Sequence, residues 1–251
     1  MSSQQDIEAN LADIKAAISE ASKQGAQLVV LPENCCSMGR QFATAERFDE
    51  LSDAMAEYAR AFGIYLLAGS LPCPYRPDGV IVPNGRLRQV SQLFAPDGTR
   101  VARYDKIHLF TATVADKQGS YNEAATFEPG TQTVVVPLEA NDAVYQLGMM
   151  VCFDLRFPAL AQRLRQAGAD LISAPSAFTY LTGQAHWSLL LRARALDSQC
   201  MVIGAAQGGE HLYKNGKSRQ TWGRSTITAY DGTIINSYED SDLKNSANKN
   251  Y

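Results

Sequence analysis

The sequence predicts an α/β domain with one mixed β-sheet or two, and three observations indicate this class. Amphipathic helical segments alternate with short apolar runs that are typical of buried strands. Antiparallel hairpins with strong turn signals are inserted into this alternation. No low-complexity linker divides the 251 residues, so a single large domain is the simplest arrangement.

The first half of the chain is predicted to contain two helix–strand pairs and a hairpin. Asp6 can cap the first helix, because apolar residues recur after it at spacings of three and four. The all-apolar run that follows predicts a strand buried on both faces. Pro96-Asp97-Gly98 is a turn sequence typical of hairpins. The predicted elements are helix 6–24, strand 28–31, helix 48–62, strand 64–68 and hairpin strands 90–94 and 101–104.

The second half repeats this alternation. Pro158 suits the first turn of a helix, and Gly168 can end that helix. The predicted elements are strands 134–136 and 147–151, helix 158–167, strand 171–174, helix 184–198, strand 201–206 and hairpin strands 225–229 and 233–237. From Glu239 onward the sequence is polar and aperiodic, so we expect one domain over 1–238 and a flexible tail over 239–251.

Composition argues against several classes of function. A net charge of −3 gives no long-range attraction to nucleic acid or to anionic lipid. No apolar run is long enough to span a membrane. Five cysteines without C-x-x-C spacing or a secretory leader indicate a reducing cytoplasm rather than a disulfide framework. The three histidines lack metal-site spacing, so no metal is expected.

Three residues at strand ends are candidates for chemistry. Cys152 follows an apolar strand and precedes a helix, so it is either a small buried residue or a nucleophile at the carboxyl edge of the sheet. Glu33 is either a solvated loop charge or a site carboxylate, and Lys106 is either an edge-strand charge or a site ammonium. Together the three supply the parts of an acyl-transfer site without histidine.

The segments that carry these residues resemble the signature segments of the nitrilase superfamily of carbon–nitrogen hydrolases. They are Leu31-Pro32-Glu33-Asn34, Tyr104-Asp105-Lys106-Ile107-His108-Leu109-Phe110 and Cys152-Phe153-Asp154-Leu155-Arg156-Phe157-Pro158. Downstream, Pro175-Ser176-Ala177-Phe178 and Thr182-Gly183-Gln184-Ala185-His186-Trp187 are similar to the branch that contains deaminated glutathione amidases and ω-amidases. The resemblance runs over about residues 4 to 238, with the motifs in the expected order.

The resemblance implies a four-layer α-β-β-α sandwich of two mixed sheets, a homodimer or larger homo-oligomer, and no cofactor. It implies that Cys152 is the nucleophile, Glu33 the general base and Lys106 the oxyanion stabiliser. Glu123 matches an additional site glutamate, and the backbone N–H of Phe153 is placed to stabilise the oxyanion.

Other residues near the inferred site remain open to two interpretations. Arg156 either pairs with Asp154 or Glu123, or binds a substrate carboxylate. His186 and Trp187 either pack or contact substrate, and the same holds for Phe178 and Tyr180 on the preceding loop. We expect the adjacent Cys35 and Cys36 to be buried thiols, because vicinal cysteines seldom form a relaxed disulfide.

The sequence departs from the family pattern in four places. Met1-Ser2-Ser3 offers nothing from which to build the short apolar strand that usually precedes the first helix, so this strand is expected to be absent. The end of the chain lacks the usual arginine and Phe-Pro pair. Thr111 stands where aspartate is common, and Arg224 stands where histidine is common.

The predicted function is hydrolysis of a small linear amide through a cysteine thioester. The expected substrates are deaminated glutathione or an ω-amide of a 2-oxo acid. Nitrile hydrolysis begins with the same thiol addition and stays an alternative, as does a catalytically silent binding protein. A thiol redox enzyme would need a resolving cysteine near Cys152.

Overall fold

The computed structural model describes residues 1–116 and 119–238, and the predicted tail at 239–251 lies outside these ranges. The described chain forms four layers, in which two mixed β-sheets face each other and helices cover both outer sides. This arrangement confirms the α/β class and the sandwich that the family resemblance implies.

The amino-terminal half forms the first sheet. Its strands are β1 (Leu28–Val30), β2 (Tyr65–Leu67), β3 (Leu71–Cys73), β4 (Arg88–Phe94) and β5 (Arg100–Asp105). The order is β1-β2-β4-β3, and β5 also pairs with β4. Only β1 and β2 are parallel to each other. The helices of this half are α1 (Ile7–Lys23), the short α2 (Gln41–Ala45) and α3 (Phe48–Phe62).

A small hairpin of β6 (Thr111–Thr113) and β7 (Ser120–Asn122) leads to the second sheet. The remaining strands are β8 (Val135–Ala140), β9 (Ala143–Met149), β10 (Leu171–Ser173), β11 (Met201–Gly204), β12 (Gly208–Leu212), β13 (Ser218–Trp222), β14 (Thr226–Thr228) and β15 (Ile234–Ser237). The second sheet has the order β15-β14-β11-β10-β9-β8, and β12 pairs with β13 as a separate hairpin. Its helices are α4 (Pro158–Gln166) and α5 (Tyr180–Ser198).

Successive side chains of β2 point to opposite faces of the sheet, as in any β-strand, and so pack in different layers of the sandwich. Leu67 packs between the two sheets with Leu93 and Met149. Leu66 packs on the opposite face with Ile14 of α1 and Leu51 of α3. The two sheets are therefore joined by one apolar core, and a second core holds α1 and α3 on the first sheet.

The prediction that the first strand is buried on both faces is wrong. All three residues of β1 are partly exposed, because β1 pairs only with β2 and its other side borders a groove of about 480 Å³ shared with β11 and β14. Residues 1–6, ahead of α1, form no strand. Ser3 is nevertheless held in place, because its N–H donates to Gln207 and its hydroxyl donates to the Cys35 carbonyl.

The other predicted helices and strands are present, with ends that differ by a few residues. The helix α5 begins at Tyr180 rather than at residue 184, because the Thr179 side chain caps it by accepting from Thr182 N–H. None of the helices in the described ranges is long and apolar enough to span a membrane.

Candidate active site

Cys152 lies at the sharp turn that the sequence predicts between a strand and a helix. It begins a short 3-10 helix, Cys152–Arg156, just after β9. Its φ angle of 51° is a left-handed conformation that is uncommon for a residue with a side chain. The backbone N–H of Cys152 donates to the Pro175 carbonyl at 2.9 Å. The turn therefore fixes the thiol at the carboxyl edge of the second sheet.

The buried carboxylate of Asp154 holds this turn in place. It accepts hydrogen bonds from Val151 N–H at 2.9 Å and from the Tyr104 hydroxyl at 2.7 Å. It also accepts from the backbone N–H of His108 at 2.9 Å and from its Nδ1–H at 2.8 Å. The His108 ring stacks on Phe157 with 3.6 Å between centroids. Asp154 thus ties the cysteine turn to the end of β5, a role that the sequence did not reveal.

Lys106 lies directly after β5 and is enclosed by two carboxylates. Its Nζ is 2.9 Å from Oε1 of Glu33, and it is 3.1 and 2.9 Å from the two carboxylate oxygens of Glu123. Glu123 also accepts from Phe110 N–H at 2.7 Å, which orients its carboxylate. The structure therefore brings together two of the predicted strand-end residues and the additional glutamate.

The backbone around Lys106 is packed too closely to allow much movement. Its N–H donates to the Gln89 carbonyl at 2.9 Å, and its own carbonyl accepts from Gly130 N–H at 2.8 Å. A Cβ at Gly130 would lie 2.1 Å from the Asp105 carbonyl oxygen. Only glycine allows the two backbone segments to lie this close together. Gly130 is therefore needed to hold the backbone of Lys106 in the position from which its ammonium reaches the two glutamates.

A partly open pocket of about 30 Å³ lies at the predicted site. Its lining includes Cys152, Glu33, Glu123, Phe153, Arg156 and Phe178. It also includes Asn34, Phe110, Ala177, Thr179, Thr182 and Arg219, which sequence reasoning did not assign to the site. Lys106 is not among the lining residues, but its Nζ contacts both glutamates. Within the described ranges, no three His, Cys, Asp or Glu side chains are grouped to hold a metal ion.

The ionisable groups at this pocket shift one another's pKa values. Burial raises the pKa of the Cys152 thiol well above its usual range, and the carboxylate of Glu33 raises it further, while Lys106 opposes this shift. Burial alone would lower the pKa of Lys106, but Glu123 and Glu33 raise it well above its usual range. At neutral pH the site therefore contains an ammonium and a neutral thiol.

The interpretation of Arg156 as an ion-pair partner of Asp154 or Glu123 is wrong. Its guanidinium donates to Nδ1 of His186 at 3.1 Å and lies over the Phe153 ring. None of the described carboxylates lies within the 4.0 Å of an ion pair, because Asp154 faces β5 and Glu123 faces Lys106. Arg156 is therefore a pocket cation without an anionic partner.

The other predicted residues have different roles. Trp187 is a packing residue, since it is buried against Phe178 and its Nε1–H donates to the Arg224 carbonyl at 2.7 Å. His186 contacts Arg156 and is not part of the pocket lining. Cys35 and Cys36 are buried free thiols, as predicted, with 4.0 Å between their sulfurs.

Comparison with known proteins agrees with this fold. A family model described as carbon-nitrogen hydrolase matches residues 1–243, and the chain belongs to this family. This confirms the resemblance stated from the sequence.

The chain is 40% identical to a deaminated glutathione amidase from Yersinia enterocolitica over 231 residues, which are 90% of this chain and 76% of that protein. It is 36% identical to an omega-amidase from Xenopus tropicalis over 222 residues, which are 87% and 74% of the two chains.

A related solved structure is a variant of the amidase from Nesterenkonia sp. AN1 in which acrylamide has added to the active-site cysteine. It matches with a TM-score of 0.77 and 26% identity, over 95% of this chain and 85% of that one.

Proposed function

We propose that this protein is an amidase that hydrolyses a small linear amide through a thioester on Cys152. The observation that carries the proposal is the position of the Lys106 ammonium, 2.9 Å from both Glu33 and Glu123, whose carboxylates line the pocket that holds the Cys152 thiol. A nucleophile, a base and a fixed positive charge are the parts that acyl transfer needs.

The first half of the reaction forms the thioester. Glu33 takes the thiol proton as the Cys152 sulfur attacks the amide carbon, so the thiolate forms only in contact with substrate. The tetrahedral oxyanion is stabilised by Lys106 and by the backbone N–H of Phe153, which donates to no acceptor in the described part of the chain. Glu33 then protonates the leaving nitrogen as the C–N bond breaks.

The second half releases the acid. Glu33 removes a proton from water, which attacks the thioester carbon. The C–S bond then breaks, and the departing sulfur takes this proton from Glu33, which regenerates the thiol and the carboxylate. Glu123 keeps Lys106 charged and in place throughout, because it contacts the ammonium with both oxygens. The net reaction consumes one amide and one water and yields a carboxylic acid and an amine or ammonia.

The charge of the pocket favours an acyl group that carries a carboxylate. Arg156 is an unpaired cation beside the thiol, and a planar guanidinium is suited to bind a carboxylate with two hydrogen bonds. The relatives named deaminated glutathione amidase and omega-amidase support the same choice. We therefore propose that the substrate is deaminated glutathione or an ω-amide of a 2-oxo acid.

The decisive experiment measures ammonia or amine release from 2-oxoglutaramate, 2-oxosuccinamate, deaminated glutathione and simple nitriles. We expect turnover of the carboxylate-bearing amides and, on rapid quenching, an acyl adduct on Cys152 by intact-mass spectrometry. Release that survives Cys152→Ala would reject the mechanism. A folded protein that turns over no amide would identify a silent binding protein, and turnover of nitriles alone would identify a nitrilase.

Assembly and location form a further part of the proposal. We propose a homodimer or larger homo-oligomer in the cytoplasm, which five free cysteines and the family resemblance support. Light scattering coupled to size exclusion gives the mass of the particle. A monomer at micromolar concentration would contradict the proposed assembly and leave the proposed chemistry intact.

A further inference from the structure

The nucleophile and the base of the site follow strands of different sheets. Glu33 comes after β1 of the first sheet, and Cys152 comes after β9 of the second. Proton transfer between them depends on their separation, and a misplacement of about 1 Å can cost about 10²-fold in rate. Asp154 ties the cysteine turn to the end of β5, beside Lys106. A contact from the second sheet to the Glu33 loop would complete the alignment.

Gln207, between β11 and β12, belongs by its backbone to the frame that holds the nucleophile. Its N–H donates to the Ser176 carbonyl at 2.9 Å. The N–H of Cys152 donates to the neighbouring Pro175 carbonyl, also at 2.9 Å. Gln207 and the Cys152 turn are therefore anchored to the same segment, which follows β10.

The side chain of Gln207 reaches the loop that carries the base. Its Nε2 donates to the backbone carbonyl of Glu33 at 3.1 Å and to the Ser3 hydroxyl at 2.8 Å. Its Oε1 accepts from the Ser3 N–H at 3.1 Å, and the Ser3 hydroxyl donates in turn to the Cys35 carbonyl at 2.8 Å. Gln207 is 0% exposed, and Ser3 and Glu33 are each 2% exposed. Burial shields these hydrogen bonds from water and strengthens them.

The loop needs this support because its backbone turns sharply just after Glu33. Asn34 has a φ angle of 55°, a left-handed conformation that ends the extended path of the strand. The first sheet holds Asn34, whose N–H donates to the Ser70 hydroxyl at 3.1 Å and whose Oδ1 accepts from Gln89 at 2.9 Å. Gln207 adds a tie from the second sheet, so the base is connected to both halves of the sandwich.

We propose that Gln207 is a positioning residue for the general base, which fixes the Glu33 loop to the frame of the nucleophile and so sets the separation between the Glu33 carboxylate and the Cys152 thiol. This inference rests on the proposed function, in which Glu33 accepts the thiol proton. Ser3 completes the contact, because it binds both the oxygen and the nitrogen of the Gln207 amide. Gln207 is not among the residues that line the pocket, so it acts through Glu33.

The kinetic test uses Gln207→Met, which keeps the length of the side chain and removes its hydrogen bonds. For the substrate that the wild type hydrolyses fastest, we expect kcat to fall at least tenfold and KM to stay within threefold, because only the base is displaced. The control is Gln92→Met in β4, since buried Gln92 accepts from the Ser52 hydroxyl of α3 at 2.8 Å, on the helix side of the first sheet. Its kcat should stay within threefold of wild type. Equal losses of kcat in the two variants would overturn the inference.

A titration of the thiol tests the inference without turnover. Burial raises the pKa of the Cys152 thiol and the Glu33 carboxylate raises it further, so displacing that carboxylate should lower this pKa. We expect Gln207→Met to lower the thiol pKa by at least half of the shift that Glu33→Gln produces, and Gln92→Met to leave it unchanged. Ser3→Ala, which removes a single hydroxyl, should lower it in the same direction and decides the test if Gln207→Met does not fold.

The outcomes of this titration separate the inference from the proposed function. An unchanged thiol pKa in Gln207→Met, or in Ser3→Ala where that variant decides, would overturn the inference even if the protein is an amidase. The expected fall of the pKa in a protein that hydrolyses no amide would reject the proposed function and keep the role of Gln207 in placing Glu33 beside Cys152.

Discussion

The Nζ of Lys106 lies 2.9 Å from Oε1 of Glu33, and the two side chains are only 0% and 3% exposed. Burying an ammonium costs free energy unless opposite charges and hydrogen bonds offset the loss of hydration. Here Glu123 supplies a second carboxylate, 2.9 Å from the same ammonium. The pair crosses from the end of β5 to the end of β1, so it also joins the two edges of the first sheet at the site. In the proposed mechanism, catalysis and stability therefore depend on the same contact.

The first prediction concerns Lys106→Met, which removes the charge and keeps the length of the side chain. Glu33 and Glu123 would then face each other without compensation, and breaking a buried pair costs about 3–5 kcal/mol. Loss of a preorganised oxyanion donor lowers kcat about 10²–10³-fold. Urea denaturation and steady-state kinetics measure the two effects.

A matched control separates the catalytic loss from the loss of stability. Leu164→Ala opens a cavity in the core under α4, at a comparable cost of about 2–5 kcal/mol. Its kcat at 25 °C should stay within threefold of wild type. If Leu164→Ala lost as much activity as Lys106→Met, the ammonium would have no specific role.

The second prediction concerns the Cys152 thiol. Burial and the nearby Glu33 carboxylate raise its pKa, so the wild-type thiolate should appear only well above pH 9. Glu33→Gln removes that negative charge and leaves Lys106, so the thiol pKa should fall while amide hydrolysis also falls. Absorbance at 240 nm, taken as the difference from Cys152→Ser, follows the titration.

Glu50→Gln serves as the control for this titration, because Glu50 is exposed on α3 and pairs with Arg47 rather than with a residue of the site. It should change neither the thiol pKa nor the rate. A thiol that already ionises near pH 7 in the wild type would contradict the proposed transfer of its proton to Glu33 upon substrate attack.

The third prediction concerns Asp154→Asn. An asparagine nitrogen cannot accept, so at least one of the donors from Val151, Tyr104 and His108 would lose its acceptor, at about 1–3 kcal/mol. The turn that orients Cys152 should loosen, and we expect kcat to fall at least tenfold with little change in the thiol pKa. Asp170→Asn, at a half-exposed aspartate, should change neither. Full activity in Asp154→Asn would show that the turn holds without this carboxylate.

The fourth prediction concerns His211, which is buried in the β12–β13 hairpin. Its Nδ1–H donates to the Ser3 carbonyl, and its Nε2 accepts from the Thr221 hydroxyl. Burial lowers its pKa from 6.5 to about 4, so the folded protein binds this proton less readily than the unfolded chain. Stability is therefore lost as the pH falls from about 6.5 towards 4. The full loss is about 3–4 kcal/mol, since each pKa unit corresponds to about 1.4 kcal/mol.

Urea denaturation of wild type and His211→Gln at several pH values checks this assignment. The difference between the two proteins should change across the window from pH 6.5 to 4 and stay constant above pH 7. Parallel curves throughout would assign the acid sensitivity to other groups.

The grouping of Glu33, Lys106 and Cys152 could be predicted from the sequence because strand ends are easy to locate. Predicted strands that stop near Pro32, Tyr104 and Val151 place Glu33, Lys106 and Cys152 at sheet edges. The carboxyl ends of strands are where α/β proteins place their sites. Helices α1 and α3 were predictable for a similar reason, since their apolar periodicity is regular and Asp6 and Gly63 mark their ends.

Three features of the structure could not be predicted, because they depend on the direction in which side chains point and on which strands become neighbours in the sheet. The β12–β13 hairpin is polar and has no apolar alternation, so Arg219 could not be placed near the thiol. The partner of Arg156 depends on which way Asp154 points, and a sequence does not give that. The partial exposure of β1 follows from its place at a sheet edge, whereas its composition is that of a central strand.

The two carboxylates around Lys106 also influence what happens after the bond is cleaved. In the proposed reaction a neutral amide becomes an acid, which ionises in a space already bordered by Glu33 and Glu123. Like charges at such distances repel in a poorly hydrated site. The enzyme should therefore release its acid quickly, show weak inhibition by that acid, and be a poor catalyst of amide synthesis from acid and amine.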